Sequence, residues 1–264
     1  MRGLFDFMQL VANENMKIYR RIRTWIMLGI LLVLAAGTTI VFYSIANEMP
    51  NMWMVTELEA TFLSSLITIF VVIVAAESVA SEFSTGTIKL LLIRPWSRSK
   101  ILLSKYISLM LLAVFFTAVV FVFTVLINMI VFGYSSELEL AVGSADNMAP
   151  LPYMLMFYLY NFISLVVVAT LAFMISSVFR SSGLAIGLSI FLTVGGGNIL
   201  VAVLGMFQAD LVDYILFTHL DLTGHLSAGE TEYTLGFSLG VLAVYYAIFM
   251  ALAWYVFKKR DVAA

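Results

Sequence analysis

Residues 106–132 read YISLMLLAVFFTAVVFVFTVLINMIVF, 27 consecutive positions without Asp, Glu, Lys, Arg or His. A helix needs about 20 apolar residues to cross the hydrocarbon core of a bilayer. This stretch is long enough to span with a tilt or to protrude. It ends at Gly133 and is preceded by Lys105. Five further stretches share its character, roughly 24–46, 60–76, 151–179, 183–206 and 235–257, again free of ionisable side chains. The sequence therefore predicts an all-α membrane protein of six transmembrane helices in a single transmembrane domain, 1–264.

Composition agrees. Hydrophobic residues make up 62% and charged residues 11%, against roughly 25% charged in soluble domains. So few charges cannot build a water-soluble surface. Cysteine is absent, which excludes disulfides, a thiol nucleophile and thiolate metal sites. The first 23 residues, with polar ones throughout, do not have the short basic start and apolar core of a signal peptide.

The charges are segregated. All 14 Lys and Arg fall in four places. Arg2, Lys17, Arg20, Arg21 and Arg23 precede the first span, and Lys89, Arg94, Arg98, Lys100 and Lys105 lie between the second and third. Arg180 lies between the fourth and fifth, and Lys258, Lys259 and Arg260 follow the sixth. The three intervening connections hold no Lys or Arg but 11 of the 16 acids, among them Glu48, Glu57, Glu59, Glu137, Asp213 and Asp221. Basic residues are retained on the cytoplasmic side, so both termini are expected in the cytoplasm of a bacterial cell, in a multi-pass plasma-membrane protein. Trp25, Trp53, Trp96 and Trp254 all fall at span boundaries or in loops, as an aromatic belt would.

Residues 1–23 read as an interfacial helix. Leu4, Phe7, Met8, Val11, Ile18 and Ile22 recur at helical spacing, with Lys17, Arg20 and Arg21 mostly off that stripe. Between the fifth and sixth spans, Leu211, Val212, Ile215, Leu216 and Leu220 form an apolar face in a long acidic connection. A segment dipping into the outer leaflet is expected there, and its backbone must be covered by protein. Gly195, Gly196 and Gly197 in the fifth span allow close approach or local bending.

No phosphate loop, H-E-x-x-H or G-x-S-x-G pattern is present, so the chain is expected to be no enzyme and to bind no nucleotide in the P-loop manner. His219 and His225 share one connection with Asp213 and Asp221 but lack a ligand spacing, and no metal is expected. The informative stretch is 77–105. Glu77 abuts the second span, where a carboxylate is either functional or simply solvated. Ile88, Leu91 and Leu92 give a small helical apolar face. Pro95 ends that helix, because Arg94 before it is biased toward extended structure, and Ser97 or Ser99 caps the next one. The result is a compact charged knob with an apolar tip, which reads as a docking surface or as a tight basic loop.

Glu82-Phe-Ser-Thr-Gly86-Thr87-Ile88-Lys-Leu-Leu91-Leu92-Ile-Arg94-Pro95-Trp-Ser97-Arg98, followed by Lys105, resembles the E-x-x-x-G-T…L-L…P-x-S-R…K signature of ABC-2-type transporter permeases, transmembrane subunits of bacterial ABC exporters. The six spans, amphipathic N-terminal helix and long fifth connection fit along the whole chain. Ser104 stands where Gly is common in that signature. The resemblance implies a second permease copy or paralogue and two cytoplasmic ATPase subunits, which bind the ATP and Mg; this chain binds no cofactor itself. It implies that residues 77–105 form a coupling helix seated in an ATPase cleft, with Glu82, Gly86, Thr87, Ile88, Leu91, Leu92, Arg94, Pro95 and Arg98 carrying the contact. It also implies a re-entrant outer gate between the fifth and sixth spans.

The residues themselves point toward an external energy source. A gradient-driven carrier places ionisable groups near the bilayer midplane, and the six stretches offer only uncharged Asn128, Asn161 and Asn198. Their Phe, Met, Leu and Thr lining suits a hydrophobic or amphiphilic cargo, with amphipathic peptides or peptide antibiotics the leading expectation. Two other classes stay open: a secondary carrier or channel acting alone, and a non-transporting scaffold or immunity protein. Lipid is an expected partner and nucleic acid is not.

Overall fold

The computed structural model describes residues 2–46, 49–87, 96–138, 148–207, 209–226 and 232–259, without the side chains of 2–6, 209 and 210. Among the described residues there are helices and turns and no strands. Helix α1 (Arg2–Tyr19) precedes α2 (Ile22–Ile45), α3 (Met52–Ser84), α4 (Arg98–Phe132) and α5 (Pro150–Val178). Then follow α6 (Ser182–Phe191), a π-helical turn (Leu192–Gly196) and α7 (Gly197–Phe207), which together make one rod. A short α8 (Ala209–Val212) and 3-10 turns at Leu216–His219 and Thr223–Leu226 lead to α9 (Leu235–Lys259). Six of these rods are long and apolar enough to cross a membrane: α2, α3, α4, α5, α6–α7 and α9.

Helix α3 is the axis of the bundle. It packs against α5, α4, α6 and α2. Val71, Val72, Ala75, Ala76, Val79 and Ala80 on it are buried, and such short side chains let neighbouring backbones approach. Ser176 of α5 inserts here: its Oγ accepts from the backbone N–H of Val79 and of Ala80, each at 3.0 Å. Around this axis Leu109, Leu112, Phe116 and Val120 of α4 and Phe173 of α5 complete the main core.

Helices run past the apolar stretches that announced them. The second span, expected at 60–76, is a helix of 33 residues that takes in Glu57, Glu59, Glu77 and Glu82. The third, expected at 106–132, begins at Arg98 and includes Lys100 and Lys105. Caps, not hydropathy, set these ends. The Asn51 side chain accepts from Trp53 N at the start of α3. At its other end Gly86 takes φ +73°, a left-handed conformation that stops a helix and favours glycine. Ser97, rather than Ser99, caps α4 by accepting from Lys100 N.

One expectation about surfaces needs correction. Trp53 does not belong to an exposed belt: it is 2% exposed, and its indole N–H donates to Ser135 O at 2.8 Å. Met8 of α1 and Ile22 at the start of α2 are exposed, as a stripe lying on a membrane interface would be, and among the described side chains of α1 the buried ones are Leu10 and Glu14. The bundle holds α1 through these two positions, one of them an acid.

Candidate functional site: a buried ion cluster and a polar cavity

At the end of the bundle that carries α1, the Lys105 ammonium is 3% exposed and sits between two carboxylates. Its Nζ donates to Glu14 Oε2 at 2.8 Å and to Glu82 Oε1 at 2.5 Å. Lys17, half-exposed, donates to Glu14 Oε1 at 2.5 Å and reaches Glu82 Oε1 at 3.4 Å. Ser108 Oγ adds a bond to Val11 O at 3.1 Å. Three elements that are distant in sequence, α1, α3 and α4, therefore meet on one nitrogen.

A lysine so deep is tolerated only because its charge is matched and hydrogen-bonded. Burial pushes the Glu14 carboxyl up, but Lys105 and Lys17 outweigh it and hold the group below the ordinary glutamate range. Burial pulls the Lys17 ammonium down, yet Glu14 and Glu82 more than compensate and hold it above its ordinary value. A second ion group adjoins the first. Glu77 accepts from Arg21 Nη1 at 3.1 Å and pairs with Arg23. The carboxylate at the membrane edge is thus engaged by the linker between α1 and α2. Both groups line one cavity of about 70 Å³.

The remaining residues of the signature are placed as follows. Glu82 is the inward anchor just described. Gly86 has open space where a Cβ would point, so its role is the left-handed turn and not close approach within this chain. Thr87 Oγ1 lies 2.9 Å from Thr85 Oγ1 and 3.5 Å from Glu82 O. Arg98 Nη1 donates to Lys258 O at 3.1 Å, joining the start of α4 to the end of α9. Ile88, Leu91, Leu92, Arg94 and Pro95 lie outside the described residues.

A larger cavity of about 300 Å³ opens midway along the bundle. Its wall carries Ser64, Ser65 and Thr68 of α3, Asn161 and Ser164 of α5, and Thr193 of the π-helical turn. Spacing puts the α3 hydroxyls on one face of the helix. Leu220, from the connection before α9, closes part of the wall, and its carbonyl accepts from Ser164 Oγ at 2.5 Å. The glycine run lies where the rod α6–α7 changes from α- to π-helix beside this cavity. A Cβ on Gly196 would meet the Phe191 ring and one on Gly197 the Phe217 ring, while the π-helical turn falls at Leu192–Gly196. Such turns recur at functional sites.

One buried carboxyl sits just before the apolar stretch 60–76, on the same helix. Glu59 of α3 is 2% exposed and bonded to Thr38 and Thr39 of α2 and Asn128 of α4. It was hidden in the sequence because hydropathy placed it in a connection. His219 is a packing histidine: it is buried, with Nδ1 3.0 Å from Ser238 Oγ and Nε2 2.8 Å from Asp213 O. Among the described residues no three potential ligands cluster for a metal.

These features define a multi-pass helical membrane protein. The chain belongs to the family described as "Protein of unknown function (DUF2705)", whose model matches residues 22–263 and so takes in all six long helices. It is 32% identical to "Uncharacterized protein YhcI" of Bacillus subtilis (strain 168), over 97% of this chain and 99% of that one. It is also 28% identical to "Uncharacterized membrane protein YdbK" of the same organism, over 88% of this chain and 87% of that one.

Proposed function

We propose that this chain is the permease subunit of an ATP-driven exporter of the ABC-2 type. It works with a second permease, identical or related, and two cytoplasmic ATPases, and moves a hydrophobic or amphiphilic molecule out of a bacterial cell. Amphipathic peptides or peptide antibiotics are the leading cargo. The observation that carries the reading is the Lys105 cluster. The signature segment leaves α3 at Glu82 and re-enters α4 before Lys105, and these two residues are bonded to each other and to α1. A push on the intervening knob would therefore move α1, α3 and α4 together instead of bending a loop. The mid-bundle cavity, with hydroxyls on one wall and apolar residues beside them, supports an amphiphilic cargo. The connection Ala209–Leu226 then acts as the re-entrant outer gate, reaching the cavity wall at Leu220.

Glu59 does not turn the molecule into a gradient-driven carrier. No ionisable side chain of α3 lies between Glu59 and Glu77, a gap of 18 residues or about 27 Å of helix. One isolated carboxyl is no relay.

The test is Leu91→Asp with Leu92→Asp, read by ATPase copurification and by stimulated ATP hydrolysis in nanodiscs. Burying unpaired charge weakens such a contact by about 3–5 kcal/mol. Full ATPase binding and transport by a well-folded double variant would overturn the reading.

A further inference from the structure

Glu59 is buried far from the Lys105 cluster, and the partners its carboxyl meets, Thr38, Thr39 and Asn128, are all neutral. Its Oε1 lies 2.8 Å from Thr38 Oγ1 and 2.8 Å from Thr39 Oγ1. Thr38 Oγ1 also lies 2.8 Å from Ala35 O and 3.0 Å from Leu34 O. Thr39 Oγ1 also lies 3.0 Å from Ala35 O and 3.1 Å from Asn128 Oδ1. Each hydroxyl has one proton and faces three acceptors. Each can turn its proton to Glu59 or to its own helix, and neither brings a charge. With a proton on Glu59 Oε1, that oxygen donates to Thr39, Thr39 turns its own proton to Ala35 O, and Thr38 donates to Glu59. A carboxyl buried among neutral partners with no cation is held at lower free energy neutral than ionised. The other carboxyl oxygen is served separately, by Asn128 Nδ2 at 2.8 Å, whose amide also donates to Thr56 Oγ1 at 3.1 Å.

We propose that Glu59 is a proton-binding site, occupied as a neutral carboxylic acid in this arrangement of α2, α3 and α4. The spacing distinguishes a proton from a metal ion. Contacts of 2.8 Å are those of O–H···O bonds. Two oxygens at right angles around a cation, each about 2.4 Å from it, would lie about 3.4 Å apart. The surroundings supply no counter-charge. From α2 the carboxyl meets Thr38 and Thr39, and from α4 Asn128. From α5 Tyr158 lies within reach of its charge. Glu57, nearby on α3, accepts from Tyr153 Oη at 3.1 Å. Among the described residues no Lys, Arg or His pairs with Glu59.

The proton therefore closes a three-helix contact. Its loss leaves a charge in a dry junction, and the relief is for α2 to part from α3 and α4 and admit water. Thr39 lies six residues from the end of α2 at Ile45, about 9 Å of helix, so the opening is short and near that end. The site stands independently of any ATPase.

The test is infrared spectroscopy of the full chain in lipid nanodiscs, comparing wild type with Glu59→Gln, and Glu57→Gln as a control. The expected result is a protonated-carboxyl C=O band at neutral pH that is lost in Glu59→Gln, is kept in Glu57→Gln, and disappears as pH is raised. The melting temperature of the wild type falls over that same pH interval. Glu59→Gln, whose amide supplies the missing donor, keeps wild-type stability at neutral pH and loses the transition. Absence of a Glu59 component at neutral pH, or a Glu59→Gln variant as unstable as Glu59→Ala, overturns the proposal. Sodium- or potassium-dependent stabilisation that vanishes in Glu59→Gln also overturns it and assigns the site to a metal cation.

Discussion

Lys105 satisfies two carboxylates from a position where water cannot help, so the balance of charge around it is unforgiving. Removing the ammonium leaves Glu14 and Glu82 facing each other in a buried pocket with half-exposed Lys17 as the one cation they share. Lys105→Met is expected to cost about 3–5 kcal/mol, the usual consequence of breaking one side of a buried ion pair. Chemical denaturation in mild detergent measures it. Adding Glu14→Gln and Glu82→Gln to the same chain should recover much of that loss, because the uncompensated charge is gone. Recovery would show that the cost lies in charge and not in lost packing of the lysine stem. Part of this site is legible from residue order alone. Glu82, Gly86 and Lys105 stand in a recognisable spacing. Glu14 is not, because it lies 91 positions from its partner, and local periodicity reads an acid on a short helix as a solvated one. Glu59 is obscured for a different reason: it lies one residue before the apolar stretch that hydropathy marks, while the helix continues through it.

At the scale of elements, α1 is held by charge as much as by apolar contact. Its buried anchor is Leu10, with Glu14 one turn on. The sign of the pH dependence follows from the two shifts. Glu14 has a lowered folded value, so its contribution is present above the ordinary glutamate range and is lost as pH falls through the folded value. Lys17 has a raised one, so its contribution is present below the ordinary lysine range and is lost as pH rises through the folded value. Between those ranges the hold on α1 should be flat. A spin label on Asn13→Cys, an exposed position, should stay immobile through neutral pH and gain mobility in acid below the ordinary glutamate range. Glu14→Gln should be mobile at every pH. The rod α6–α7 makes a second prediction. The ring of Phe217 occupies the space a Cβ on Gly197 would need, so Gly197→Ala should cost about 1–3 kcal/mol, as overpacking does. Gly195→Ala, with open space, should be far milder. Paired melting curves decide it. The glycine run signalled close approach or bending in the sequence, but the ring that makes the approach comes from a separate segment and no local pattern names it.

For the whole molecule, the distribution of basic residues is a stronger guide than the length of any one helix. Hydropathy found six spans and six rods exist, though their bounds moved by up to eight residues, as at α3 (60 to 52) and α4 (106 to 98). The count survives because an error of one helix would invert every later connection, and the Lys and Arg alternate without exception. The structure adds a physical correlate. Lys105, Glu14, Lys17, Arg21, Arg23 and Glu77 gather around one cavity, and Arg98 is tied to the end of α9. Lys17, Arg21, Arg23 and Lys105, all of which charge retention assigns to the cytoplasm, are thus gathered at one end of the bundle. Glu59, Trp53 and Ser135 belong near the opposite ends of the same helices. The alternation of Lys and Arg predicts that Ser99 faces the cytoplasm, while Ser136 and Ser227, the latter outside the described residues, face outward. The chain has no natural cysteine, so each can be replaced singly by Cys without background. A membrane-impermeant maleimide applied to intact cells should label Ser136→Cys and Ser227→Cys and leave Ser99→Cys unlabelled until the cells are opened. Labelling of Ser99→Cys from outside would invert the bundle. It would put the Lys105 cluster beyond reach of any cytoplasmic ATPase, and it would remove the proposed route of energy into the molecule while leaving the fold untouched.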